Sequence, residues 1–289
     1  MKTDSKDRCY NPNNYKIIGW TIGYECNFRC PYCFVWRDAS DKDLKLSVEE
    51  WIKIWDRIND KYGKCIINIS GGEPSLYPGF FDIIKYLSKN NICVICTNFS
   101  WDPKKLIPGN QDNLKIFATF HPACMKFDEF YNKVKFAKDY LDNDTVAYVA
   151  YKKQIENIPY YRKELEKIGV KLQIHPLRDE GFDIEKDQIK KTDVSKGQKI
   201  INDSDDEQMI LDNTSNKDEY RLGLKSPKGK MCRSGKDYIC VWPDGTVNRC
   251  TRCRDEVIGN ITDKNFKFLD NITICNKDLC PVEYYMIID

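Results

Sequence analysis

The chain lacks any large surplus of charge: Lys and Arg number 46 against 44 Asp and Glu, a net charge of +2 over 289 residues. No bulk electrostatic case for a nucleic acid or an anionic membrane partner follows. It also lacks any stretch near the ~20 apolar residues that cross a bilayer. The amino terminus, Met1-Lys2-Thr3-Asp4-Ser5-Lys6-Asp7-Arg8, has no apolar core of the kind a signal peptide needs. Internal repeats are missing as well. The expected place is the cytoplasm, with no membrane association. What the chain has in quantity is cysteine, 14 in all. In a reducing compartment these are not a disulfide framework, so clustered cysteines read as metal ligands. With 41% hydrophobic and 31% charged residues, the composition suits a globular enzyme with one large domain and a small one.

The densest group is Cys26, Cys30 and Cys33, in Glu25-Cys26-Asn27-Phe28-Arg29-Cys30-Pro31-Tyr32-Cys33. The spacing C-x3-C-x2-C can hold three corners of one inorganic cluster and leave a fourth metal position open for chemistry. Zinc is the competing occupant, but it normally takes four ligands in two separated pairs, and no histidine lies nearby. A second motif follows a strand-like apolar run, Ile-Ile-Asn-Ile-Ser, and reads Gly71-Gly72-Glu73-Pro74. Glycines at a strand end let a ligand approach the backbone, and a carboxylate beside them can accept a charge-assisted hydrogen bond from an ammonium group.

Together these motifs resemble the radical S-adenosylmethionine (SAM) superfamily, whose cluster loop reads C-x3-C-x-aromatic-C, with Tyr32 at the aromatic position. The resemblance implies a [4Fe-4S] cluster on Cys26, Cys30 and Cys33. Its unique iron chelates the amino and carboxylate groups of SAM, and one electron cleaves the sulfonium. The 5'-deoxyadenosyl radical then abstracts a substrate hydrogen. It further implies that Gly71, Gly72, Glu73 and Pro74 bind the methionyl amino group and that Tyr32 lies along the adenine. Thr97-Asn98 resembles the family's Thr-Asn-Gly, with Phe99 in the glycine's place. Thr119-Phe120-His121 stands where many members have Ser-x-Asp, so Thr119 is expected at the SAM ribose, and His121 departs from the pattern.

Apolar runs predict strands at Lys16 to Gly23, Cys65 to Ser70, Ile92 to Thr97, Leu114 to His121, Thr145 to Tyr151 and Val170 to His175. Helical patterns fall near 47 to 60, 79 to 89, 127 to 141 and 157 to 168, the first opened by Ser47 with Glu50 as a capping box. The alternation predicts an α/β fold, a partial (β/α)6 barrel like that of the radical SAM family, with its site at the carboxyl ends of the strands. The expected organisation is a tail over 1–15, the barrel core over 16–177, a charged connector over 178–230 and a cysteine-rich domain over 231–289. That last domain holds Cys232, Cys240, Cys250, Cys253, Cys275 and Cys280, with Asp244-Gly245 predicting the turn of a β-hairpin. It resembles the SPASM and twitch modules, and having only Cys275-x4-Cys280 after the hairpin favours the shorter twitch form. The resemblance then implies one auxiliary [4Fe-4S] cluster on Cys232, Cys250, Cys275 and Cys280. Cys253 is the alternative ligand, and structural zinc the alternative metal.

Cys65, Cys93 and Cys96 read as core thiols, with Cys93 and Cys96 on opposite faces of a strand. Cys240 reads as packing, and Cys9 lies in the polar tail. Cys124 follows His121 and Pro122 near the substrate space, where a thiol can bind substrate or donate a hydrogen atom. His121 and His175 both end strands at the site face and are candidate bases for a proton lost after hydrogen abstraction, or else groups that orient SAM. The reaction expected is oxidation or cross-linking of a small molecule or peptide, with a flavodoxin or ferredoxin as electron donor. The alternatives are a maturase or activase acting on a residue of a partner protein, and a non-catalytic zinc module. The stretch before Cys26 leaves no room for a leader-binding domain, which favours a small molecule or a peptide delivered by a partner.

Overall fold

The computed structural model describes residues 14–33, 43–107, 112–150, 152–176, 220, 225–278, 280 and 284–288. The polar tail with Cys9, and the connector apart from Tyr220 and 225–230, lie outside the described residues.

Six parallel strands carry the fold: β1 (Lys16–Gly23), β2 (Cys65–Gly71), β3 (Ile92–Thr97), β4 (Leu114–Phe120), β5 (Thr145–Ala150) and β6 (Lys171–Pro176). Helices α1 (Val48–Tyr62), α2 (Phe80–Leu87), α3 (Phe127–Ala137) and α4 (Ile158–Glu166) fill four of the crossovers. A short 3-10 turn at Pro103–Lys105 stands between β3 and β4. Ser47 caps α1 as expected: its hydroxyl accepts from the Glu50 amide while the Glu50 carboxylate accepts from the Ser47 amide.

Strand alternation decides what each face does. Trp20 of β1 packs at 4.6 Å on Trp51 and 4.9 Å on Trp55 of α1, whose buried positions Trp51, Ile54, Trp55 and Ile58 follow the helical repeat. Phe120 meets Phe130 of α3, and Tyr148 meets Tyr161 of α4. This face, with Ile18, Ile67, Ile69 and Ile95, is the hydrophobic core. The opposite face carries Asn68, Ser70, Val94, Cys96 and Thr119, all partly exposed. Cys96 therefore departs from the core expectation. Cys65 and Cys93 are fully buried on the helix side, whereas the odd spacing from Cys93 turns Cys96 to the other face.

Six more strands follow: β7 (Met231–Cys232), β8 (Tyr238–Val241), β9 (Thr246–Asn248), β10 (Val257–Asn260), β11 (Thr273–Ile274) and β12 (Ile287–Ile288). The expected hairpin is β8 and β9, with Gly245 at φ +80 and the Trp242 amide bonded to the Thr246 carbonyl at 2.9 Å. It also extends the main sheet. β8 lies parallel to β1, with Gly19 opposite Cys240, so the nine strands run β10-β9-β8-β1-β2-β3-β4-β5-β6. Strands β11, β7 and β12 form a separate small sheet.

Candidate active site

The first cysteine loop leaves the carboxyl end of β1, and the tip of β2 holds it. The Gly72 amide donates to the Gly23 carbonyl at 3.0 Å and the Glu73 amide to the Glu25 carbonyl at 2.7 Å. Both glycines are demanded by this closeness. A Cβ on Gly71, which sits at φ +141, would lie 2.2 Å from the Gly23 oxygen, and one on Gly72 would lie 2.2 Å from the Glu25 oxygen. The backbone of the Gly-Gly-Glu segment is thereby fixed against the residues that lead into Cys26.

Glu73 is 2% exposed and caps the short turn opened by Pro74, accepting from the Ser75 amide at 3.2 Å. Its carboxylate also accepts from the Thr97 hydroxyl at 2.8 Å and the Asn98 amide at 2.8 Å. Burial pushes its pKa up, and these hydrogen bonds oppose the rise. The Ser75 hydroxyl is a further donor to the carboxylate. Thr97 is a site residue that the sequence set omits: it supports the acid from below while accepting from the Phe99 amide at 2.9 Å and the Trp101 indole at 3.0 Å. Phe99 takes the left-handed conformation, φ 57. That costs about 1–2 kcal/mol for an L-residue. The fully buried ring, packed on Trp101 and Phe130, returns about 1.5–3 kcal/mol, so burial outweighs the strain.

Asn98 closes the near side of the loop, donating to the Asn27 side chain at 3.0 Å with its amide 3.8 Å from the Cys26 sulfur. Cys30 is 6% exposed and packs with Tyr32, Phe28, Cys33, Cys124 and Val149. Burial raises the Cys26 and Cys30 thiols, so both are protonated until something displaces the proton. Cys124, held in a turn by its amide to the His121 carbonyl at 2.9 Å, lies 3.8 Å from the Cys30 sulfur. Tyr32 pairs with His121 through a 2.8 Å hydrogen bond to Nδ1 and stacks on the ring at 5.9 Å. Burial alone lowers His121 to about 4, so the ring is neutral near pH 7 rather than titrating there. Thr119 stands two residues earlier on the same face of β4, in register with Ala147. His175 on β6 is in register with Val149 and lies edge-on to Phe117 at 6.0 Å.

A second set of thiols gathers at the other end of the chain. Cys232, Cys250, Cys253 and Cys275 share a buried cluster with Cys240, Tyr238, Met286 and Ile17. The Cys250 thiol donates to Cys253 at 3.1 Å. That bond lowers Cys253 to about 7 against the effect of burial, and Arg249 adds to it. Cys280 is buried at 7% exposure. Among the described residues no three His, Cys, Asp or Glu side chains converge on one metal-ion position. No helix there is long and apolar enough to cross a membrane.

Residues 20–116 match the model of the Radical SAM superfamily. A curated relative, the S-adenosylmethionine-dependent nucleotide dehydratase of Thermoplasmatales archaeon (strain ISO4-H5), is 33% identical over 90 residues, which are 31% of this chain and 29% of that protein. Streptococcus suis SuiB bound to precursor peptide SuiA superposes with a TM-score of 0.62 at 14% identity, covering 86% of this chain and 63% of that one. The enzyme anSMEcpe with bound AdoMet and Cp18Cys peptide gives 0.56 at 16% identity, covering 86% and 77%. The aligned parts fall short of two thirds of the length of the dehydratase and of SuiB, and at these identities the solved structures show a shared fold. The three-thiol loop and the Gly-Gly-Glu-Pro cradle both lie inside the segment that matches the Radical SAM superfamily model.

Proposed function

We propose that this chain is a radical SAM enzyme that oxidises or cross-links an organic substrate after abstracting a hydrogen atom from it. The observation that carries the reading is the hydrogen-bonded union of the Cys26–Cys33 loop with Gly72 and Glu73, which sets three sulfur donors beside a buried acid. These residues fit a [4Fe-4S] group and SAM. When bound, the group supplies the electron that splits SAM to the 5'-deoxyadenosyl radical.

Cys26, Cys30 and Cys33 would hold three corners of the cluster and leave one open. Glu73 would pair with the SAM ammonium, and that cation would supply the opposite charge that steadies the buried carboxylate. Thr97 and Asn98 hold Glu73 in place, and Tyr32, tied to His121, would lie along the adenine. Thr119 offers a hydroxyl to the ribose. His121, neutral and bonded to Tyr32, serves this arrangement better as an orienting group than as a base, which leaves His175 as the base candidate. Cys124 would stand at the substrate's edge of the loop. The face lined by Asn68, Ser70, Cys96 and Phe117 would receive the substrate, a peptide or a small molecule. SuiB and anSMEcpe, both solved with peptides, favour the peptide.

At the carboxyl-terminal site Cys232, Cys250 and Cys275 would hold an auxiliary [4Fe-4S] cluster, and the contact with Cys250 favours Cys253 over Cys280 as fourth ligand. Anaerobic reconstitution, with iron counting and SAM-cleavage assays, tests the whole reading. About eight irons per chain and SAM cleavage lost in Cys30→Ala are expected. A colourless zinc protein that leaves SAM intact would overturn it, and about four irons would remove the auxiliary cluster alone.

A further inference from the structure

Arg249 follows β9 and is 4% exposed, an unusual place for a guanidinium. A buried cation persists only where other groups answer its charge and satisfy its donors. Its Nη1 donates to the Thr273 hydroxyl and, at 3.3 Å, to the Ile274 carbonyl; its Nη2 donates to the Cys253 sulfur at 3.4 Å. Thr273 and Ile274 form β11, and the next residue is Cys275. The guanidinium thus joins the two segments that bring Cys250, Cys253 and Cys275 together.

Its carboxylate partner does not match it. Glu256 approaches Nε at 3.4 Å, but that side chain is 32% exposed. Glu256 also faces Lys277 at 3.9 Å and accepts from Asn276 at 2.9 Å. Lys277 is paired with Asp255 at 3.0 Å, so Glu256 answers Arg249 from the solvent side alone, whereas thiolates on a metal centre would meet the guanidinium charge at its buried Nη2 end.

We propose that Arg249 is the built-in counter-ion of an anionic thiolate-ligated iron–sulfur centre at Cys232, Cys250, Cys253 and Cys275, and that its charge raises the reduction potential of that centre. The inference rests on the auxiliary-cluster reading above. A fixed positive charge and an N–H donor on a ligand sulfur both stabilise the more negative, reduced form. Glu256 acts with the opposite sign. Arg249 is a positioning and tuning residue here, since it works through the ligands.

The test uses the full-length chain carrying Cys26→Ala, Cys30→Ala and Cys33→Ala, reconstituted with iron and sulfide, so that any remaining cluster signal belongs to the carboxyl-terminal centre. Potentiometric titration followed by electron paramagnetic resonance is run on this background and on the same background with Arg249→Gln, Arg249→Lys or Glu256→Gln. Arg249→Gln is expected to lower the midpoint by at least a tenfold change in oxidised-to-reduced ratio, about 59 mV for a one-electron couple. Glu256→Gln is expected to raise it, and Arg249→Lys to stay near the parent. A purely structural brace would not produce shifts of opposite sign. Iron retained with an unchanged midpoint in Arg249→Gln would overturn the proposal. Should Arg249→Gln fail to hold iron, a midpoint in Glu256→Gln that stays put or falls would overturn it equally. No iron in the parent background would instead remove the auxiliary cluster, and this inference with it.

Discussion

A carboxylate buried as deeply as that of Glu73 stays ionised only with help, here the Ser75 and Thr97 hydroxyls and the amides of Ser75 and Asn98. The raised pKa gives a pH dependence with a definite sign. The ammonium-binding form is the carboxylate, present above the pKa and lost as pH falls through it. SAM affinity should therefore decline on acidification at a pH above the ordinary Glu value of about 4.3. Glu73→Gln removes the charge, and since hydrogen bonds to charged groups contribute about 1.5–3 kcal/mol, SAM binding should weaken by about 10- to 100-fold and lose this pH dependence. Calorimetric titration of the reconstituted protein across about pH 5 to 8 reads both effects, and an unchanged affinity in the variant would remove Glu73 from the SAM site. The acid was legible in the sequence because Gly71-Gly72-Glu73-Pro74 is a local motif. Arg249 was not, for a basic residue beside a cysteine is ordinary until tertiary packing buries it. His121 was legible as a site residue but not as a neutral one, since its low pKa comes wholly from desolvation.

At the scale of elements, the join between the β1 loop and the β2 tip is where the site is set. The contact is between backbones, so a single added methyl group tests it. Gly72→Ala would place a Cβ 2.2 Å from the Glu25 oxygen and 2.5 Å from the Tyr24 oxygen, both main-chain atoms with little room to retreat. The cysteine loop must then move away, with strain of about 1–3 kcal/mol. SAM affinity and iron retention should fall by about 5- to 100-fold, while circular dichroism still reports the sheet; an unaffected Gly72→Ala protein would mean the loop is not held this way. Sequence pattern revealed β1, β3 and α1 well because local signals govern them: apolar runs in the strands, and the Ser47–Glu50 box at the helix start. Less was legible where the helix after Phe127 gives way at Ala137 to a 3-10 turn, since no glycine or proline marks the change.

For the molecule as a whole, the decisive pairing is non-local. Ile17 to Trp20 of β1 has β2 on one side and β8, more than two hundred residues away, on the other. The two cysteine sets are thus linked through one strand: Cys26 follows β1, and Cys240 lies beside Gly19 of the same strand. No local pattern announces such a register, so the hairpin could be read from Asp244-Gly245 but its partner strand could not. A chain ending at residue 230 would expose the edge of β1 and uncover Ile17, which is 4% exposed when residues 231–289 are present. Such a chain should associate or precipitate rather than behave as a stable barrel, and size-exclusion chromatography would show it; a monodisperse, folded product would contradict the role given to β8.

The most direct test of the central claim, that three sulfur donors leave an iron open to SAM, is electron–nuclear double resonance on the reduced, reconstituted protein with SAM labelled at the amino nitrogen. The account predicts a hyperfine coupling between that nitrogen and the cluster, abolished together with the cluster signal in Cys30→Ala. A reduced cluster whose spectrum is indifferent to SAM and shows no such coupling would contradict it.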